Sequence, residues 1–294
     1  MSKILVTGGS GFIGSELCKQ LTSKGYQIAI LSRKKKSIPI KQFIWDIDRA
    51  WIDPKAIEFA DAIIHLAGEN ISSKRWTKKQ KRIILESRTR STELLYSAIK
   101  TSSSKPKLII SASAVGYYGN RTSEEIFTED YPRGTDFLSK TVYKWENSMS
   151  SFEEFNIRTV IFRMGAVMSP NGGALKKMLL PVKFGVATPV GSGNQYIPWI
   201  SLNDLSGLFL FAIENEKLKG IFNAVNPLHL TNRELMAQIA SIKHKPFIPI
   251  GVPPIILKLI YGKMSSVFLQ GSRVSSTRII KSGFSFSDGI RDVF

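Results

Sequence analysis

Residues 6–14 read VTGGSGFIG. The glycines at 8, 11 and 14 follow directly on a short apolar run, KILVT, and open a stretch, FIGSELCKQLTSKG, with apolar residues at helical spacing. A glycine triplet alone says little, but one placed between a strand and a helix defines a constrained βα turn. Gly8 permits the tight turn, Gly11 removes the Cβ that would hold a phosphate away, and Gly14 lets the helix pack closely on the sheet. Main-chain N–H groups at the helix start then face outward, where a pyrophosphate is well received.

The rest of the chain repeats that beginning. QIAIL, QFIW, ADAIIHLAG, PKLIISAS and NIRTVIFRM read as further short apolar strands, separated by helical stretches such as TKKQKRIILESRTRSTELLYSAIK. Unbroken apolar strands alternating with helices predict a parallel sheet covered on both faces, a doubly wound α/β domain of Rossmann type. After Gly165 the character changes: loops rich in Gly and Pro (SPNGG, TPVGSGNQ, VNPLH, PIGVPP) alternate with helices, and TNRE at 231–234 reads as a capping box. The expected organisation is a dinucleotide-binding domain over 1–165. A smaller C-terminal substrate lobe over 166–294 follows, with some of its segments returning to the sheet.

The end of the second strand distinguishes the two dinucleotides. An acid there, about 20 residues after the glycines, would bind the ribose 2′-hydroxyl of NAD. The chain has Ser32-Arg33-Lys34 instead. A guanidinium offers a planar fork to phosphate oxygens, so the expected cofactor is NADP(H).

With 41 basic and 23 acidic residues the net charge is +18. Such a field favours anionic ligands. The runs SRKKK and SKRWTKKQKR carry no finger, homeodomain or RNA-recognition signature, so a solvated basic face is the plainer reading than nucleic acid. No apolar run approaches the ~18 residues of a membrane span. The N-terminal segment lacks the apolar stretch of a signal peptide. A cytoplasmic protein with no membrane partner is expected. Cys18, the one cysteine, lies in the apolar set of the first helix and reads as packed and inert. His65, His229 and His244 have no ligand spacing, and no metal is expected.

The glycine loop, the basic strand end, HLAG (65–68) and SASAVGYYG (111–119) resemble the short-chain dehydrogenase/reductase superfamily, in its extended, nucleotide-sugar-epimerase branch. GSGNQYIPWISLNDL (191–205) is similar to a segment of that branch. LAGENI, KRW, ESR, SAVGYYG, KWE, FRMG, NGGAL and the GF-F ending resemble, more narrowly, its atypical "epimerase family" proteins, across nearly the whole chain. The resemblance implies that Gly8, Ser10, Gly11, Phe12, Ile13 and Gly14 hold the pyrophosphate, and that Ser32 and Arg33 take the adenosine phosphate. It implies that Asp46 touches the adenine, that Leu66, Ala67 and Gly68 line the path to the nicotinamide, and that Arg88 and Val167 are further cofactor contacts.

The superfamily's usual catalytic set is a Ser or Thr after the fifth strand and a Tyr-x-x-x-Lys on the next helix, where residues i and i+4 share a face. The lysine's charge there lowers the tyrosine's pKa. Ser113 suits the serine role, with Ser111 as the alternate. On the helical stretch DFLSKTVYKWE, however, Leu138 and Val142 fall where Tyr and Lys belong, and the stripe Leu138, Val142, Trp145, Met149 reads as packing. Tyr118, just beyond the serine, and Tyr143, off the stripe, are the other catalytic candidates. Sugar-nucleotide enzymes often carry an arginine two residues after the glutamine of the QYIPW segment. Ile197 stands there instead, while Gln195 and Trp199 are expected to line a pocket whose entrance Asn171, Gly172 and Gly173 shape. The expected function is an NADP(H)-binding, epimerase-like oxidoreductase acting on a small carbonyl, carbinol or sugar-like substrate, with an anionic substrate and a homodimer both compatible with the sequence. The alternative is an NADP(H)-binding sensor without catalysis.

Overall fold

A strand covered on both sides must be apolar at successive positions, because neighbouring side chains point to opposite faces. In β1 (Lys3–Thr7), Ile4 and Val6 enter one core and Leu5 enters another. The structure, a computed structural model, describes residues 2–287 and 289–294. Along the chain β1 is followed by α1 (Phe12–Ser23), β2 (Gln27–Ser32), β3 (Lys41–Asp46), β4 (Trp51–Ile52), α2 (Pro54–Phe59), β5 (Ala62–His65) and α3 (Lys78–Thr101). Then come β6 (Leu108–Ala114), β7 (Ser123–Phe127), α4 (Phe137–Ser150) and β8 (Arg158–Met164). The two-sided pattern recurs in β5, β6 and β8: Ile64, Ile110, Val160 and Phe162 face the first core, and Ile63, Ile109 and Ile161 face the second.

The chain continues through β9 (Ala166–Ser169), α5 (Gly173–Lys183), β10 (Tyr196–Ile197), β11 (Trp199–Ser201), α6 (Leu202–Glu214) and β12 (Gly220–Ala224). Its last elements are β13 (Leu230–Thr231), α7 (Asn232–Ile242), α8 (Pro254–Tyr261), α9 (Ser266–Leu269), β14 (Ser272–Val274) and α10 (Thr277–Lys281). The central sheet has the order β12-β8-β6-β5-β1-β2-β3-β4. All its pairings are parallel except that of β3 with β4. It is a Rossmann-type sheet with helices on both faces. Leu17, Leu21, Leu208, Phe209 and Ile279 bring α1, α6 and α10 onto the first core, and Ile57, Leu95, Ile99 and Met149 bring α2, α3 and α4 onto the second.

Three segments beyond residue 165 belong to this body: α6 packs beside α1, β12 extends the sheet beyond β8, and α10 packs on β12. The remainder has its own core, in which Met168, Leu175, Leu179, Trp199, Leu235 and Ile239 meet. Thr231 and Glu234 form the capping box that starts α7. The strand order reverses between β1, which leads to β2, and β5, its neighbour on the other side. In sheets of this kind ligands bind at the carboxyl ends of the strands, at that reversal.

Candidate dinucleotide site

The turn after β1 is shaped by contacts that only glycine allows. Gly8 has φ +68°, and a Cβ there would lie 3.0 Å from the Leu66 carbonyl. A Cβ at Gly14 would lie 2.3 Å from the Gly8 oxygen, so α1 meets the turn backbone to backbone. Gly9 was not singled out in the sequence, yet a Cβ there would come within 2.5 Å of the Ile30 side chain. Gly11 differs: it is exposed, its φ is −83°, and a Cβ would meet only the Gly8 oxygen at 3.2 Å. The space it leaves opens outward. No side chain caps α1, so its first N–H groups, those of Phe12, Ile13 and Gly14, remain for a ligand. Cys18, behind them, is fully buried, and burial pushes its thiol up to about 12.

At the end of β2, Arg33 is exposed, but Ser32 is buried and its hydroxyl donates to the Lys34 carbonyl oxygen at 2.8 Å. Ser32 thus braces its own loop, and the side chain expected on a phosphate is turned to the main chain. Lys36, passed over as part of a basic run, is the cation that reaches the cradle: its Nζ donates to Ser10 Oγ at 2.7 Å. Gln42 pins Lys36 by exchanging two hydrogen bonds with its backbone, at 2.8 and 2.7 Å. Asp46 closes the turn after β3, where its Oδ1 accepts from the N–H groups of Asp48 and Arg49, both at 3.0 Å.

Thr7 ties β1 to the segment Leu66–Gly68. Its Oγ1 accepts from the Leu66 and Ala67 N–H groups, each at 3.1 Å, and donates to His65 Nδ1 at 2.8 Å. His65 is therefore assigned as the Nε2–H tautomer, facing the Thr92 and Ser91 hydroxyls at 3.2 and 3.3 Å. Burial, with the charge of Arg88 adding to it, pushes His65 down to about 4. Arg88 lies beneath Gly68, where a Cβ would meet its Cζ at 3.1 Å. Its guanidinium donates to the Ile84 and Glu69 carbonyl oxygens at 2.7 and 3.1 Å and stacks 5.0 Å from the Trp145 ring. Burial pushes Arg88 down to about 10 against the pull of Glu69. The guanidinium is hydrogen-bonded to carbonyls rather than to a carboxylate.

The second lobe closes on the cradle from above. Gly172 and Gly173 pack on the Phe12 ring, which a Cβ on Gly172 would enter at 2.3 Å. Val167 shapes the same turn, since its carbonyl oxygen would lie 2.2 Å from a Cβ on Gly173. Lys177 on α5 donates to Ser72 Oγ at 2.8 Å, bridging the lobe to the segment after β5. Gln195 and Trp199, expected to line a pocket, are instead framework. Gln195 is 1% exposed and donates to the Val190 and Phe268 carbonyls at 2.9 Å, and Trp199 is fully buried and donates to Leu228. Near Ile197, a cation arrives from another element: the Arg273 guanidinium stacks 4.5 Å from the Tyr196 ring and pairs with Glu124.

The catalytic candidates are parts of a buried ion network. Ser113 Oγ donates to Glu146 Oε1 at 2.5 Å. Arg163, next to last in β8, clasps the same carboxylate with Nε and Nη2 at 2.9 and 2.8 Å. Its Nη1 donates to Tyr118 Oη and the Glu129 carbonyl, both at 3.0 Å, and Tyr118 donates to Asn223 Oδ1 at 2.7 Å. Burial works against the Arg163 charge, but the Glu146 hydrogen bonds outweigh it and raise the pKa. Burial pushes Tyr118 up to about 12, against the pull of Arg163, which makes it a poor proton carrier near neutrality. Tyr143, one turn before Glu146 on α4, is exposed, with the Arg133 guanidinium 4.6 Å from its ring. The positions of the missing pair, Leu138 and Val142, pack against Gly116. Ser111 bonds its own strand, donating to the Ala112 carbonyl at 2.9 Å. The signal for the network was in the sequence: an arginine inside an apolar strand, RTVIFRM, needs a buried carboxylate, and KWE supplies it.

The chain belongs to the NAD dependent epimerase/dehydratase family, whose model matches residues 4–225. A second model, a domain of unknown function, matches residues 252–288. An epimerase family protein of Staphylococcus haemolyticus is 35% identical over 98% of this chain and 95% of its own length. Among solved structures, a human epimerase family protein determined with NADPH has a TM-score of 0.86 at 31% identity, covering 99% of this chain and 96% of that one. A nucleoside-diphosphate sugar epimerase from Corynebacterium glutamicum has a TM-score of 0.79 at 27% identity, covering 99% of this chain and 57% of that one.

The two kinds of glycine give opposite expectations. Gly11→Val should leave the melting temperature near wild type but weaken dinucleotide binding by about tenfold or more. Gly14→Ala should destabilise the protein by ~1–3 kcal/mol, because backbone has to move; denaturant melts and dinucleotide titration separate the two. His65 gives a pH dependence. Its folded pKa lies below the unfolded 6.5, so the unfolded chain takes up the proton first. Stability is then full above pH 6.5 and falls by up to roughly 3 kcal/mol as pH drops to about 4. Urea midpoints across that window should flatten in His65→Gln. Arg163→Leu should cost ~3–5 kcal/mol by leaving Glu146 buried and unpaired, and Arg163→Leu/Glu146→Leu should recover much of it.

Proposed function

We propose that the chain binds NADP(H) and exchanges a hydride with a small carbonyl or carbinol compound, without the tyrosine–lysine pair of its superfamily. The observation that carries the cofactor reading is the outward space at Gly11, framed by uncapped N–H groups and by Lys36 at Ser10. Arg33, at a strand end without an acid, supplies a second cation for a 2′-phosphate, and Arg88 stands by the path toward the nicotinamide. The NADPH found with the human relative supports the same choice. Bound there, NADP(H) would give or take the hydride at its nicotinamide ring. Phe12 and the 172–173 turn would cover the phosphates and keep water out.

The proton would move through Ser113. Its hydroxyl already donates to Glu146, so Oγ keeps lone pairs for a substrate hydroxyl. A proton arriving at Ser113 Oγ can pass its own on to the Glu146 carboxylate, which Arg163 holds in orientation. Tyr118 and Tyr143 take no part in this route. A second reading is favoured by Ser113 being only 1% exposed and by the apolar Leu138 and Val142. In it, NADP(H) is a sensed ligand that is not turned over.

Fluorescence titration should show NADPH binding at least tenfold tighter than NADH, and Arg33→Ala should remove most of that difference. Equal binding of the two nucleotides defeats the NADP(H) assignment. A screen of carbonyl compounds for NADPH oxidation then tests turnover. Activity lost in Ser113→Ala while NADPH binding persists supports the serine route; binding without turnover of any compound leaves the sensing reading.

A further inference from the structure

Leu180, Phe184, Ile250, Ile255, Leu259 and Ile260 are 59, 82, 78, 65, 70 and 52% exposed. They are not scattered. Leu180 and Phe184 end α5, and the chain after them pairs with the segment that leads into α8: the Ile248 N–H donates to the Ala187 carbonyl and the Val252 N–H to the Pro189 carbonyl, both at 2.9 Å. The α8 sequence, PIILKLIY, buries Leu257 alone and turns its other apolar residues outward. Exposed apolar side chains thus lie at the end of α5, on the segment paired with the chain after it and on the helix that follows, an exposure of a kind that marks an interaction surface.

Its charge is one-sided. No aspartate or glutamate occurs from Phe155 to Asn203, nor from Leu235 to Ser287, the two stretches that build this face. Lys183, Lys245, Lys258 and Lys263 are exposed along it. Arg75, from the basic run 73–82, holds the carbonyls at the end of α8, donating to Ile260 at 2.7 Å. A second copy would bring the same lysines against each other in a two-fold contact. An anionic partner would relieve that charge instead.

We propose that this face docks on an anionic lipid bilayer, with α8 lying in the interface and the lysines on the headgroups. Apolar side chains inserted beside a basic rim are what interfacial binding requires. No helix among the described residues is long and apolar enough to cross a membrane, and interfacial docking needs none. The expectation of no membrane partner rested on the lack of a span and is revised here.

Flotation of the full chain with vesicles tests it. Phosphatidylcholine vesicles containing phosphatidylglycerol should carry the protein at low salt, and phosphatidylcholine alone should not. Ile255→Ser/Leu259→Ser and, separately, Lys258→Gln/Lys263→Gln should each weaken binding by about tenfold. Both sites are exposed, so the variants should melt like wild type; a matching melt shows that lost flotation is not lost folding. Absence of flotation with the acidic vesicles, or equal flotation of the apolar variant, overturns the proposal. So does a wild-type dimer in sedimentation that Ile255→Ser/Leu259→Ser makes monomeric without any vesicle binding, since a second copy would then cover the face.

Discussion

A guanidinium in the middle of a parallel sheet constrains everything packed around it. Arg163 is 2% exposed, and an unpaired charge in such a place would be prohibitively unfavourable. Glu146 answers from α4, the Tyr118 hydroxyl and the Glu129 carbonyl accept from Nη1, and the Tyr117 ring covers the guanidinium with its centroid 3.5 Å from Cζ. Each partner is then committed in turn. Asn223 holds Tyr118 and accepts no looser position, because its own N–H donates to Glu129 and its amide to Ser275. The chain segment after β6, the later part of α4 and the strand β12 are in this way fixed to one another by polar geometry as well as by apolar packing.

That network stands near the carboxyl ends of β6 and β8, and its electrostatics differ from a tyrosine–lysine pair. A lysine beside a tyrosine lowers the phenol's pKa because the cation is near and the phenol is wet. Here the cation is saturated by a carboxylate and the phenol is dry, so burial prevails and the Tyr118 pKa rises. The same principle acts at the other end of the site with the opposite use. His65 is kept neutral by burial and by Arg88, and so can accept from Thr7, whose oxygen in turn holds the Leu66 and Ala67 amides. Desolvation chooses the protonation state in both places, once to fix a loop and once to silence a phenol.

The sheet was legible in the sequence because its signal is local: glycines at fixed spacing and apolar runs of strand length. The edge strand Trp51–Ile52 and the pairing of SEEIF with SRV were not, since strands of two or three residues have no period to read and their partners lie far along the chain. Site residues divided along the same line. Gly8 and Gly14 could be read because backbone geometry demands them. Ser32 could not be judged, because whether a hydroxyl faces a ligand or its own loop depends on the path of Lys34–Lys36. Lys36 looked like its neighbours in a basic run, and only the fold of the loop against Gln42 carries it to Ser10. Gln195 and Trp199 looked like pocket residues because aromatic and amide side chains serve both as lining and as framework, and only burial distinguishes the two.

Net charge shows why composition stops short of function. A field from +18 charges attracts a dinucleotide, a nucleic acid and an acidic bilayer without preference, since it is long-ranged and carries no shape. Preference comes from what stands beside the cations. Around Lys36 they stand with main-chain amides at a helix start, an arrangement that receives an anion well. Around Lys258 they stand with an outward-facing apolar helix, which a polar nucleotide cannot satisfy. Along α3 they stand on a solvated surface, with Arg82 paired to Glu86 one turn away, and such exposed pairs contribute little. The same charge therefore has three different local meanings in one chain, and the neighbouring atoms, rather than the total, set each.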